Sequence, residues 1–214
     1  MDPILNAYIL TLGGVVLAQA SPGPNLMAVA STGLAQGRSR ALCVVLGVAS
    51  GMFIWAAGAA LGLGAFFTAY PVSLVILKLL GGGYLLWLGL KALRAFWKNE
   101  AVSISASKRQ LSHGGAVRRG LAVILTNPKA ALMWSAVATY LYGAGLSPVQ
   151  VLAFGPLAAV TALLIYGTYG LLFSSQVAVS GYARFARWFE AAFGLAFAAL
   201  GGRLLLDGVR AIRN

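Results

Sequence analysis

Apolar residues along this chain come in long runs separated by short polar or charged segments. Runs of about 20 residues or more, each long enough to cross a hydrocarbon layer about 30 Å thick, recur throughout and leave no room for a separate soluble domain. They fall near residues 4–34, 40–67, 71–95, 116–142, 149–174 and 184–208. The pattern predicts an all-α integral membrane protein with six transmembrane helices.

Two of the runs contain residues that break helices. In the first, "AQASPGPNLM" places Pro22, Gly23, Pro24 and Asn25 in a row. That run, read as one helix of about 31 residues, would reach about 46 Å, and a break resolves the excess. In the fourth, "AVILTNPKAALMW" sets Asn127, Pro128 and Lys129 inside an otherwise apolar segment. Proline removes a backbone donor and frees the carbonyl of the preceding turn, which hydrocarbon penalises by several kcal/mol. Such backbone persists only where it is buried in protein or lines a polar cavity. Two breaks therefore predict one central site, built from freed carbonyls and helix N-termini, that holds a polar solute.

A lone proline often does no more than kink a transmembrane helix. Lys129 argues for more, because a cation near the centre of a span costs at least about 2.5 kcal/mol and usually faces a cavity or partner. Snorkelling to the interface is its alternative. Asn25 and Asn127 suit either capping of the half-helices or contact with solute, or both.

The two halves also match farther on. Gly82 and Gly89 are seven apart and followed by Lys91; Gly194 and Gly201 are seven apart and followed by Arg203. Residues 1–97 and 116–214 thus read as two three-helix repeats, the first helix of each broken by proline, joined by a hydrophilic cytoplasmic linker over 98–115. Three is odd, so the second copy enters the membrane from the opposite side, giving an inverted repeat.

Composition agrees: 60% of the 214 residues are hydrophobic and 9% charged, with a mean hydropathy of +0.84. The net charge of +12 does not signal nucleic acid, since the cations gather at the ends of apolar runs. Eleven of the sixteen lie around the first, third and fifth junctions, which places those loops in the cytoplasm and both termini outside. Arg203, Arg210 and Arg213 break the rule and keep an odd number of spans, or inversion, as the alternative. Lys78 is expected to snorkel outward, and Arg118 and Arg119 to touch anionic lipid headgroups.

Enzyme chemistry finds little support. There is no His or Cys ligand cluster, no nucleophile with a plausible base and no phosphate loop, so no catalytic residue, metal or cofactor is expected. His113 lies in the linker and Cys43 reads as a packing residue. Ala18-Gln19-Ala20 imitates a signal-peptide cleavage site, but Asp2 stands where a cation belongs.

"SPGPNLMAVASTGLAQGRSRALCVVLGVASG", "LKLLGGGYLLWLGLKALRAF", "LTNPKAALMWSA" and "FGLAFAALGGRLLLDG", in this order, resemble the lysine exporter superfamily, which includes the homoserine and threonine exporters. The resemblance implies a homodimeric exporter of amino acids or related metabolites in the bacterial inner membrane, driven by the proton motive force. Its functional positions carry over to Pro22, Gly23, Pro24, Asn25, Asn127, Pro128 and Lys129. The chain departs from the family pattern where many members carry an acidic residue, at Met52 and near Ala162, and where "YLYGAG" replaces a Pro-Gln-Phe.

Those departures bear on the solute. Asp2 and Glu100 fall outside the spans, Glu190 near a helix start and Asp207 near a helix end. A cationic solute would therefore lack a buried counter-ion, which favours a neutral amino acid or a small apolar or weakly acidic derivative. For proton coupling, either Glu190 reaches the cavity or Lys129 and tyrosine hydroxyls serve. Tyr84 and Tyr166 are further candidates to line it, with packing as the plainer role. Gly47 and Gly51, like Gly33 and Gly37 or Gly58 and Gly62, read as close helix packing within the chain. A passive small-solute channel or a lipid-handling protein is the alternative function.

Overall fold

A computed structural model describes residues 3–63, 71–98 and 110–213. Every element among them is helical: α1 (Pro3–Ala20), α2 (Pro24–Ala57), a π-helical turn (Gly58–Leu63), α3 (Pro71–Trp97), α4 (His113–Thr126), α5 (Pro128–Gly143), α6 (Pro148–Leu172) and α7 (Gln176–Arg213). Most of the expected linker, with Glu100, Lys108 and Arg109, lies outside the described residues, as do Asp2 and the side chains of Arg184, Arg187 and Glu190.

Prolines and small polar residues fix the helix starts. Pro24, Pro128 and Pro148 occupy the first turn of their helices, where the missing N–H would have had no partner. Ser147 and Gln150 form a reciprocal capping box at the head of α6. Ser112 accepts from the amide of Gly115 at 3.1 Å, so α4 begins at His113 and the last three residues of the expected linker are helical. The last helix likewise starts at Gln176 rather than 184, since no proline interrupts that stretch, and Glu190 falls well inside it.

Three helical stretches among the described residues are long and apolar enough to cross a membrane alone: Pro24–Leu61, Pro148–Leu172 and Ala191–Ile212. The bent pair α4 and α5 makes a fourth, and Ile4–Ala20 is a shorter apolar helix. Within the first of these the chain turns at Gly37, whose φ of 79° lies in the left-handed region that a Cβ disfavours. The turn separates the first expected span from the second.

Lipid tails are as apolar as leucine, so close backbone contact rather than hydrophobic burial holds such helices together. A Cβ on Gly120 would stand 2.0 Å from the carbonyl oxygen of Val44, and one on Gly47 2.0 Å from that of Val117, so α2 and α4 pack through glycine. Antiparallel α3 and α7 do the same: a Cβ on Gly82 would meet Gly201 O at 2.9 Å, and one on Gly89 would meet Gly194 O at 2.7 Å. On α6, Phe154, Ala158, Ala162 and Tyr166 turn inward while Leu152, Leu157, Val160 and Leu164 are exposed toward lipid.

The described basic junctions meet at one end. Arg38 donates to Leu171 O at 3.1 Å, Arg40 to Leu111 O at 2.8 Å, and Ser39 lies 3.1 Å from the His113 ring. At the opposite end Tyr8 donates to Gln150 O, and Tyr142 donates to Ala60 O at 2.9 Å, beside the π-helical turn.

Candidate functional site

The first break leaves the last carbonyls of α1 inside the bundle, where water cannot satisfy them. Gly23 is fully extended (φ 176°, ψ 179°) and carries the chain into α2. Side chains from three other helices take up the freed oxygens. Ala20 O accepts from the hydroxyls of Tyr169 at 3.0 Å and Tyr182 at 3.2 Å. Pro22 O accepts from Lys129 Nζ at 3.2 Å, and the same ammonium bonds Ser21 Oγ.

The second break bends α4 against α5 by 60°. Asn127 is extended, as a residue before proline prefers, and its side chain caps α5 by accepting from Lys129 N at 3.0 Å. Trp55 of α2 donates to the freed Ile124 O at 3.1 Å.

Asn127 Nδ2 then donates to Asn25 Oδ1 at 3.1 Å, and Asn25 Nδ2 to the Tyr166 hydroxyl at 3.4 Å. One polar chain thus runs from the head of α5 through the head of α2 to α6. Lys129 turns inward rather than snorkelling because the C-terminal end of α1 offers it carbonyls and a negative dipole. Its ammonium also lies 4.3 Å from the centre of the Phe193 ring, a cation–π contact.

Around this seam is a small cavity of about 20 Å³, lined by Gln19, Ser21, Gly23, Asn25, Met52, Asn127, Lys129 and Tyr166 among others. Its volume accommodates about one water-sized group. Of the sequence-expected residues, Pro24 and Pro128 set the helix starts and are exposed, and Pro22 borders a neighbouring cavity. Tyr84 does not join them; its ring packs 5.2 Å from that of Trp87. Sequence reasoning missed Gln19, Ser21 and Phe193. The first two left a signal, as polar residues inside an apolar run immediately before the break.

Lys129 also borders a larger cavity of about 700 Å³ that reaches Lys91, Arg94 and Lys98 at the C-terminal end of α3, with Trp87, Pro22 and Phe193 completing the walls. Among the described residues its lining contains four cations and no carboxylate. Lys78, expected to snorkel, borders a separate space of about 160 Å³ with Arg203, Asp207 and Tyr140.

Comparison with known proteins places these features in a family. The chain is 31% identical over 193 residues to the threonine efflux protein of Escherichia coli strain K12, covering 90% of this chain and 94% of that one. It is 34% identical over 131 residues to the leucine efflux protein of Klebsiella pneumoniae, covering 61% and 60%. An uncharacterized membrane protein of Haemophilus influenzae matches at 28% over 212 residues, 98% of this chain and 99% of the other. No solved structure matches. Residues 16–208 fit the family described as LysE type translocator. With nearly the whole chain covered, this multi-pass inner-membrane protein belongs to the LysE type translocator family.

Proposed function

We propose that this chain exports neutral amino acids, or closely related small metabolites, across the bacterial inner membrane as a secondary transporter rather than an enzyme. The observation that carries the reading is the bridging of two broken helices by Lys129, Asn25 and Asn127 beside a polar cavity. The efflux proteins it resembles support amino acids as the solute class. Preference for a neutral over a cationic solute is supported by the larger cavity, whose described lining carries four cations that would repel a net positive charge.

In this reading the chain forms six spans as two inverted three-helix repeats, 1–97 and 116–214. What supports the symmetry is reciprocity: Gly82, first of its pair, meets Gly201, second of the other, while Gly89 meets Gly194. Both termini lie outside, and export draws on the proton motive force in a homodimer surrounded by lipid.

The test is efflux from cells preloaded by dipeptide feeding, with neutral, cationic and acidic amino acids in parallel, with and without an uncoupler. Uncoupler-sensitive efflux of a neutral class is expected. Efflux indifferent to the uncoupler would make the protein a passive channel, and no efflux of any amino acid would overturn the reading.

A further inference from the structure

Gln19 is 1% exposed and lies one residue before the end of α1. Its Nε2 donates to Ala158 O on α6 at 3.0 Å. Because a carbonyl only accepts, that contact fixes which end of the amide is nitrogen. The oxygen is left with no hydrogen-bond partner in the protein. Buried carbonyl oxygens are seldom left this way, and the exceptions call for an explanation.

Gln19 lines the small cavity between the broken helices, together with Met52 and Tyr166. Lys129 and the heads of α2 and α5 give that space its positive side. Gln19, one of its lining residues, carries an unpaired oxygen, a negative partner that needs no carboxylate. We infer that Gln19 Oε1 is the acceptor for the ammonium group of the solute, so that the transported species is a zwitterion with one amine and one carboxylate. The inference rests on the exporter reading above and narrows its solute class. A neutral acceptor holds an ammonium by a charge-assisted hydrogen bond yet supplies no counter-charge for a second cation.

The experiment uses the full-length protein in proteoliposomes of Escherichia coli polar lipid. It compares transport of L-threonine and L-leucine with their counterparts 2,3-dihydroxybutyrate and 2-hydroxy-4-methylpentanoate, in which a hydroxyl replaces the ammonium. The wild type should prefer the amino acid by about tenfold or more, the worth of a hydrogen bond to a charged group. Gln19→Leu, or Gln19→Met should the leucine variant fail to fold, should bring the two rates of each pair together. A purely structural role would lower both rates and keep their ratio. A preference that survives in a folded variant, or is missing in the wild type, overturns the assignment while leaving the exporter reading intact. Transport of none of the four compounds by the wild type would overturn both.

Discussion

Asn127 donates to Asn25 across 3.1 Å, although the two lie 102 positions apart, and each stands in the first turn of a half-helix or caps one. The bond ties the two breaks into one unit. Removing either partner leaves a buried amide group unsatisfied, which costs about 1–3 kcal/mol, whereas removing both spares part of that penalty. Asn25→Ala and Asn127→Ala should therefore each lower the thermal transition, and the double variant should fall by less than the sum. Additive effects would show that the asparagines act independently. Asn127→Asp separates the two duties, since it keeps the cap on α5 and loses the donor to Asn25.

Lys129 touches Ser21, Pro22 and the Phe193 ring at once. Replacement by methionine keeps most of the stem and removes the charge, so the packing survives and the positive side of the cavity does not. Lys129→Met should accumulate as a folded protein and lose at least about tenfold in efflux of neutral amino acids, the effect of removing one charge-assisted contact. Normal efflux by this variant would exclude Lys129 from the transport path.

Much of this arrangement was legible in the sequence because membranes leave few options for a broken helix. Pro22, Pro24 and Pro128 in apolar runs forced freed carbonyls, and freed carbonyls forced a polar interior; Asn25, Asn127, Lys129 and Tyr166 do converge there. Of the glycines that read as packing sites, Gly47 and Gly51 do sit tight against α4 while Gly37 and Gly58 have open space around them; Gly82, Gly89, Gly194 and Gly201 read only as marks of a repeat, and they seat against one another. What escaped reading depended on distance through space. Tyr169 and Tyr182 reach Ala20 from other helices, and Trp55 caps Ile124 from 69 positions away. No local spacing encodes such partners. Tyr84 shows the converse: its place inside a span makes it a candidate for the cavity or for packing, and its ring packs on Trp87, because sequence says nothing of which way that face turns.

The glycines between α3 and α7 differ sharply in the room around them. A Cβ on Gly89 would stand 2.4 Å from Ala198 N, while one on Gly83 would meet nothing within 4 Å. Gly89→Leu should thus push the helices apart and cost about 1–3 kcal/mol or more by overpacking, seen as a lower transition temperature or loss of the folded protein from the membrane. Gly83→Leu should be tolerated. Equal behaviour of the two variants would mean that this contact does not hold the bundle together.

Met52 is 1% exposed and lines the small cavity with Gln19 and Lys129. The resemblance drawn from the sequence implies an acid at this position in many family members, and here an apolar side chain occupies it on the cavity wall. A cationic solute brought to this wall finds an apolar thioether, and its second positive charge goes uncompensated. Met52→Asp supplies the counter-charge within reach of the same space. In the dipeptide-feeding assay it should raise L-lysine efflux above that of the wild type and lower efflux of neutral amino acids. Met52→Asn, similar in size and uncharged, should not gain lysine efflux, which separates charge from the room created by a smaller side chain. If a folded Met52→Asp protein moves no more lysine than the wild type, solute charge is selected elsewhere, and the four-cation cavity at Lys91, Arg94, Lys98 and Lys129 becomes the place to look.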